Sequence, residues 1–353
     1  MTYSADYFRA LVGGQARGLG PGLQRLGLQL LSTPYGWAAA LRNWLYTKRW
    51  KRSYRVAVPV VSVGNLTLGG TGKTPCVEYV ARFYRREGLR VAILSRGYGS
   101  VGGRNDEALV LEENLPDVPH LQGPDRVVLA RTAIEELESE VLILDDGFQH
   151  RRLRRDLDLV LVDATNPWGH GHLFPRGLLR EPPRSLRRAG AILLTRCDQV
   201  DEAALRSLRE TVQNVAPNVA IVETTHRPVE MINSERLTAL LNELCRGPVA
   251  AFCGIGNPDA FRKTLQNLGA SLEAFRAFPD HHDYTRVDVE SLRAWAGQQA
   301  KDCVIVTTQK DLVKLRLAKV GGRPLWALQI CLHVEVGQAA LDRKLQEVLR
   351  AGS

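Results

Sequence analysis

Cysteine is scarce in this chain: six in 353 residues, at positions 76, 197, 245, 253, 303 and 331, with no C-x-x-C pair. That scatter argues against a disulfide framework or a zinc site and fits buried thiols in a reducing compartment. An apolar run long enough to cross a bilayer is missing too. The sixteen uncharged residues between Arg25 and Arg42, LGLQLLSTPYGWAAAL, are short for a spanning helix and are broken by Pro34. The start, MTYSADYFRA, lacks a basic region followed by an apolar core, so no secretory signal is expected. Internal repeats and low-complexity tracts are absent as well. Acidic residues fall short of basic ones, 38 against 47, which leaves a net charge of +9. The excess concentrates in Lys48–Arg55, Arg151–Arg155 and Arg176–Arg188. No helix-turn-helix, RNP or zinc-finger pattern accompanies it, so nucleic acid is not the expected partner. Anionic lipid is. Trp44, Tyr46, Trp50 and the first basic cluster follow the apolar run closely, as an interfacial anchor requires. A pair of core-packing helices is the alternative reading of the same residues.

The length allows two domains, each with its own core. Short apolar runs at 56–63, 91–95, 141–145, 158–163, 191–195 and 219–223 alternate with helical patterns. That alternation predicts an α/β fold with a mostly parallel sheet and helices on both faces. A second set begins with PVAAFCGIG near 248. It continues with helices at 257–268 and 287–299, strands at 303–308 and 325–332, and a last helix at 337–350. The polar stretch 225–235, with Pro228, reads as the boundary. The expected division is therefore a helical, membrane-associating 1–55, a nucleotide-binding 56–228 and a smaller α/β domain, 229–353.

The stretch VSVGNLTLGGTGKTP, residues 61–75, has the form of a phosphate-binding loop. An apolar strand leads into a glycine-rich turn, and a segment with helical spacing follows. Gly69, Gly70 and Gly72, with Thr71 among them, let backbone N–H groups converge on an anion at a helix N-terminus. Lys73 can reach the β- and γ-phosphates and Thr74 can hold Mg2+. Against G-x-x-x-x-G-K-[ST] the first glycine is replaced by Thr67. In a parallel sheet ligands sit beyond the carboxyl ends of the strands, so the residues after each strand carry the chemistry. VLILDDGFQH, 141–150, ends in two carboxylates. Asp145 fits the strand-tip ligand of Mg2+, and Asp146 is left for the transferred phosphoryl group or the attacking hydroxyl. Gln149 and His150 follow into the same cleft. SRGYGS, 95–100, places Arg96 and Tyr98 near the phosphates, and Asp106 is a second candidate base. TRCD at 195–198 weakly resembles a guanine-reading motif, and Asp198 can instead cap a helix. Lys310 and Asp311 either line the cleft or pair with each other. His170 and His172 lack the further ligands that a metal needs. FPDHHDY, 278–284, can complete an acid–base site.

Together VSVGNLTLGGTGKTP, ILSRGYG, NDEALVL, VLILDDGFQHRRLRRDLDLVLVDA, LFPRGLLREP, LLTRCD, FPDHHDY and VTTQKDLVKL resemble, in order, the motifs of the tetraacyldisaccharide 4'-kinase family of lipid A biosynthesis. The resemblance runs from about residue 20 to about 315. It implies a P-loop kinase at the cytoplasmic face of the inner membrane, with ATP and Mg2+ as cofactors. The acceptor it implies is the lipid A precursor, an acylated disaccharide 1-phosphate, and no protein partner is evident. Carried onto this sequence, Asp106 aligns with the catalytic base, with Asp146 and His281 assisting. Lys73 and Thr74 serve triphosphate and metal, and Asp145 the metal. Arg96, Tyr98, Gln149, His150, Arg180 and Glu181 match positions near acceptor or phosphates. The family's Gly-Asp-Glu-Pro stands here as Asn-Asp-Glu-Ala, and the loop histidines 170 and 172 depart from the family. Two rival readings are a switch or metallochaperone GTPase, which often carries lysine where this chain has Leu68, and a nucleotide-binding scaffold without chemistry.

Overall fold

The structure, a computed structural model, describes residues 5–97 and 106–350. In chain order the elements are α1 (Ala5–Val12), α2 (Leu19–Thr47), β1 (Val60–Asn65), α3 (Lys73–Arg86), β2 (Val91–Ser95), α4 (Asp106–Asn114), β3 (His120–Gln122) and α5 (Arg126–Glu135). β4 (Val141–Asp145), β5 (Leu157–Asp163), β6 (Ala191–Thr195), α6 (Glu202–Val215), β7 (Ala220–Ile232) and β8 (Thr238–Ala239) follow. Then come β9 (Pro248–Cys253), α7 (Pro258–Asn267), β10 (Ser271–Ala277), α8 (Arg286–Gly297), β11 (Val304–Thr308), α9 (Gln309–Leu315), β12 (Lys319–Val320), β13 (Arg323–Val336) and α10 (Gln338–Arg350). They form two compact units, one of residues 1–96, 118–225 and 333–353, the other of 97–117 and 226–332.

In the first unit the sheet runs β7-β6-β5-β1-β4-β2-β3, with the strands parallel. β1 is buried at all six positions, which is why it reads as a continuous run of β-branched and small residues rather than an alternation. Register sorts the two faces. Val60, Leu142, Leu144, Val160, Val162, Ile192 and Leu194 share one face, where the buried positions of α5 and α6 cover them. α3 packs against β1 and β4, and α10 packs on β5 with Leu341, Leu345 and Val348 inward. The buried Tyr84 hydroxyl of α3 donates to the Leu345 carbonyl at 3.0 Å, tying these two helices together.

The second unit has a smaller parallel sheet, β10-β9-β11-β13. Phe261 and Leu265 of α7 cover Val249, Ala251 and Val306, while Leu292 and Ala296 of α8 cover Ala250, Phe252 and Ile305. α4 packs on α9 in this unit.

The contiguous division read from the sequence is corrected by these packings. Segment 97–117 falls with the second unit because α4 buries Ala108, Val110 and Leu111 there. Segment 333–353 falls with the first because α10 does the same on β5. The division between the units falls within the polar stretch 225–235, after Thr225, although most of that stretch continues strand β7 through Pro228. Pro34 likewise breaks nothing, and α2 runs 29 residues through it. β3 and β10 are strands that the sequence pattern left unassigned.

Candidate active site

β1 delivers the glycine-rich turn and α3 begins at Lys73. Gly72 is the residue before α3 and sits at φ 86°, a left-handed conformation that costs a side chain but not glycine. Thr67 stands where the motif has its first glycine because the chain is still extended there, bridging Leu179 antiparallel. The bridge is flanked by two backbone bonds, Leu68 N–H to the Leu178 carbonyl and Arg180 N–H to the Leu66 carbonyl, both 2.7 Å. The LFPRGLLREP segment is therefore stitched to the phosphate loop, and Arg180 arrives beside it. Gly64 is required for a different reason: a Cβ there would lie 2.7 Å from Phe148, so β1 could not approach the DDGFQH turn.

That turn follows β4, whose last residue, Asp145, pairs in register with Val63. Asp146 then takes a left-handed φ of 53°. Arg180 Nη1 reaches both of its oxygens, at 2.8 and 2.7 Å, and Lys73 Nζ lies 3.8 Å away. Burial pushes the Asp146 carboxyl up, but the charges of Lys73 and Arg180 outweigh it and leave the group below its ordinary value. Gln149 accepts from Arg180 Nη1 at 3.3 Å and donates to the Asn65 carbonyl at 2.8 Å. Burial, and then the Arg126 charge, depress the His150 imidazole to about 4, so it is neutral near pH 7. Two buried nitrogens here, Arg180 Nε and His150 Nε2, have no hydrogen-bond partner among the described residues. Buried polar atoms are seldom left so unless a ligand satisfies them.

Thr74 is buried on the first turn of α3. Arg96 is exposed just past β2, and its charge acts on Arg126. Arg126 itself was missed in the sequence, since it opens α5 outside any motif; it is 6% exposed and feels both Asp146 and Asp145. Burial and the Arg96 charge lower its affinity for a proton. Glu181 is fully buried, with its oxygens taken at 2.8 Å by Arg42 of α2 and by Arg188, so it anchors α2. Tyr98 lies outside the described residues.

TRCD acts on the loop rather than on a base. Thr195 Oγ1 donates to the Thr71 carbonyl at 3.0 Å, and Arg196, at φ 58°, donates to the Gly70 carbonyl at 2.6 Å and pairs with Asp163. Asp201, not Asp198, caps the following helix, accepting from Ala204 N–H. Among the described residues no group of His, Cys, Asp and Glu gathers to hold a metal, the 170–172 histidines included.

A second cluster lies within the other unit. Asp106, the first residue of α4, meets His281 Nδ1 at 2.9 Å and Lys314 Nζ at 2.7 Å, both through Oδ2. Burial raises the Asp106 carboxyl, yet hydrogen bonds from His281 and Lys314, with their charges, bring it below its ordinary value. The hydrogen bond to Asp106 raises His281 in turn. His282 turns the other way, toward Asp288 at 3.2 Å. Lys310 and Asp311 do not pair with each other. Lys310 holds Glu107 at 2.7 Å, and Asp311 accepts from the Gly254 N–H, Tyr284 and Thr308. Lys314 is a site residue that sequence reasoning missed; its place one turn after Lys310 was the available signal.

Residues 24–350 match the family model LpxK, tetraacyldisaccharide-1-P 4'-kinase. A tetraacyldisaccharide 4'-kinase of Anaeromyxobacter sp. (strain Fw109-5) is 42% identical over 333 residues, covering 89% of each chain. That of Syntrophus aciditrophicus (strain SB) is 38% identical over 350 residues, 92% of this chain and 93% of the relative. Among solved structures, the crystal structure of "apo" form LpxK from Aquifex aeolicus in complex with ATP is similar with a TM-score of 0.73. It is 32% identical, and the match covers 92% of this chain and 99% of that one. A phosphate loop facing paired strand-end carboxylates, on a chain matched along nearly its whole length, belongs to the tetraacyldisaccharide 4'-kinase family of lipid A synthesis.

Proposed function

We propose that the chain transfers the γ-phosphate of Mg·ATP to the 4'-hydroxyl of a tetraacyl glucosamine disaccharide 1-phosphate, with Asp106 as the base. One observation carries the reading: two cations, Lys73 and Arg180, converge on Asp146 beside a glycine loop at the carboxyl ends of parallel strands. Gly69 to Gly72 cradle the triphosphate through backbone N–H groups, and Lys73 and Arg180 meet the charge that develops on the transferred group. The ATP complex of the Aquifex aeolicus relative supports this nucleotide. Thr74 and Asp145 offer the hard oxygen donors that suit Mg2+, one on the first turn of α3 and one on the strand beside β1. Bound there, the ion supplies charge neutralisation to the β- and γ-phosphate oxygens.

The acceptor 4'-oxygen attacks the γ-phosphorus as the bond to the bridging β,γ-oxygen breaks. ADP leaves with that electron pair, and the hydroxyl proton passes to Asp106. His281, bonded to the same carboxylate, shares that proton. Asp106 suits the task better than Asp146, whose two oxygens are both occupied by Arg180. Arg96, Gln149 and neutral His150 serve the acceptor or its phosphate.

The lipid acceptor accounts for α2. Leu19, Leu23, Leu26, Leu30, Trp37, Leu41 and Trp44 recur at helical spacing, and all are exposed. Its other side is held by polar contacts: the Ser32 hydroxyl to the Leu173 carbonyl, the Tyr35 hydroxyl to the Arg180 carbonyl, and Arg42 to Glu181. No helix among the described residues is long and apolar enough to cross a membrane. Docking of this stripe in the interface, at the cytoplasmic face of the inner membrane, is the contact that fits.

The test is transfer of labelled phosphate from ATP to the tetraacyl disaccharide 1-phosphate in detergent micelles with Mg2+. Wild type yields a labelled bisphosphorylated lipid, and Lys73→Ala and Asp106→Ala do not. Nucleotide hydrolysis without labelled lipid would overturn the assignment in favour of a switch.

A further inference from the structure

Helix α9 has seven residues, and four of its polar side chains reach three segments of the same unit: α4, the Gly254 turn and the His282 loop. Gln309 pairs with Asn114, Lys310 with Glu107, and Asp311 with the Gly254 loop. Lys314 reaches Asp106 Oδ2 at 2.7 Å and donates to the His282 carbonyl at 3.1 Å. Lys310 and Lys314 are one turn apart and so share a face. They grip consecutive carboxylates, Glu107 and Asp106, on the first turn of α4. The two grips differ in what they do. Lys310 ends on Glu107, whereas Lys314 ends on the oxygen that His281 also holds. Both contacts fall on Oδ2, so the open oxygen is Oδ1, opposite Lys314 and His281.

We propose that Lys314 is a positioning residue for phosphoryl transfer, fixing Asp106 through Oδ2 so that Oδ1 is presented to the acceptor hydroxyl. The Lys314 side chain is only 9% exposed. A buried ammonium needs a paired carboxylate, and Asp106 is that partner. Its charge also helps hold Asp106 ionised. The other groups facing Asp106 are His281, with Asp280 at 3.9 Å from its Nε2, and the neighbouring Glu107, balanced by Lys310. Removing Lys314 leaves the His281 hydrogen bond as the remaining hold on Oδ2 and frees the carboxylate to rotate.

The inference rests on Asp106 being the base, and the test separates the two claims. The pH dependence of kcat/KM is measured for label transfer to the tetraacyl disaccharide 1-phosphate, using the full chain. Wild type is compared with Lys314→Met, Lys314→Arg, Lys310→Met and Asp106→Ala. Loss of an adjacent opposite charge moves a carboxyl by about 1–3 units, so in Lys314→Met the acidic limb rises by about one unit or more. The plateau falls roughly tenfold as the oxygen is misaimed, while KM for ATP stays put. Lys314→Arg keeps the limb in place, and so does Lys310→Met, which removes the matching grip without touching Asp106. If Lys314→Met does not fold, Lys314→Gln is read in the same way. An unmoved limb without the lysine charge, or an equal shift in Lys310→Met, overturns the inference. Asp106→Ala that still transfers phosphate overturns the base assignment beneath it. Asp106→Ala dead beside a wild-type profile without Lys314 overturns the lysine's role alone.

Discussion

Truncating Asp311 to alanine isolates what holds His281 in place. The Asp311 carboxylate is completely buried and takes the Gly254 N–H on both oxygens, at 3.1 and 3.0 Å. It also accepts from the Tyr284 hydroxyl at 2.9 Å and the Thr308 hydroxyl at 2.6 Å. Gly254 in turn accepts the backbone N–H of His281 on its carbonyl at 3.1 Å, and His281 sits at a left-handed φ of 57°. Asp311→Ala strands the buried Gly254 amide, while the Tyr284 and Thr308 hydroxyls are only half-buried and can turn to water. An orphaned buried donor costs about 1–3 kcal/mol, and the loss of stability is of that size. Asp311→Asn loses less, because the amide oxygen still accepts while its NH2 meets a donor. Urea unfolding reads the stability. The kinetic effect follows from position: the Gly254 turn loosens and His281 drifts from Asp106, which lowers kcat by about a hundredfold. KM for ATP is unchanged, since the phosphate loop belongs to the other unit. A stability loss below about 1 kcal/mol, the size of an ordinary substitution, would refute the reasoning, as would wild-type kcat in a folded Asp311→Ala.

Three further outcomes are expected. Arg180→Met removes the cation on Asp146 and lowers transfer by about 10²–10³-fold. Arg180→Lys recovers only part of that, because one ammonium can replace Nη1 at Asp146 but not the unpartnered Nε; full recovery in the label-transfer assay would contradict this. His281 is raised by Asp106, so its stabilisation is fully present below its unfolded value of about 6.5 and disappears as pH rises through the folded one. Asp106 is lowered, so its share is present above about 3.9 and disappears as pH falls through its own folded value. Melting curves of wild type and His281→Asn therefore differ near pH 5 and converge in alkali; a constant gap would count against the pair. Leu23→Asp with Leu30→Asp removes two exposed apolar side chains of α2, each worth about 1.5–3 kcal/mol if buried in lipid. Sedimentation with anionic vesicles is expected to fall at least tenfold, while ATP binding holds.

Much of the first unit was legible because local chemistry dictates it. β-branched runs make buried strands, glycines make the loop, and two carboxylates at a strand end mark where a parallel sheet binds its ligand. The GGTGKT and DDGFQH segments are each continuous, so their residues could be named before any fold was known. Where the sequence misled, tertiary packing overrode a local rule. Pro34 costs α2 one backbone bond, yet the helix continues because Ser32, Tyr35 and Arg42 hold it to the 173–181 segment across that point. Pro228 lies in a strand for a similar reason: the preceding residues of β7, 220–223, are already paired with β6.

What sequence could not supply was pairing across distance. Asp106 and Lys314 lie more than two hundred positions apart, and nothing in VTTQKDLVKL by itself says that its second lysine faces a carboxylate. The same holds for Arg126, an unremarkable helix-opening residue until the charges of Asp145 and Asp146 are found around it. Both are cations drawn to carboxylates that the sequence did identify. A buried carboxylate in a charged site needs a compensating partner, so each candidate Asp implied a cation. Arg180 fulfils that demand for Asp146 and Lys314 for Asp106. The demand was readable in advance; only the fold could say which residue meets it.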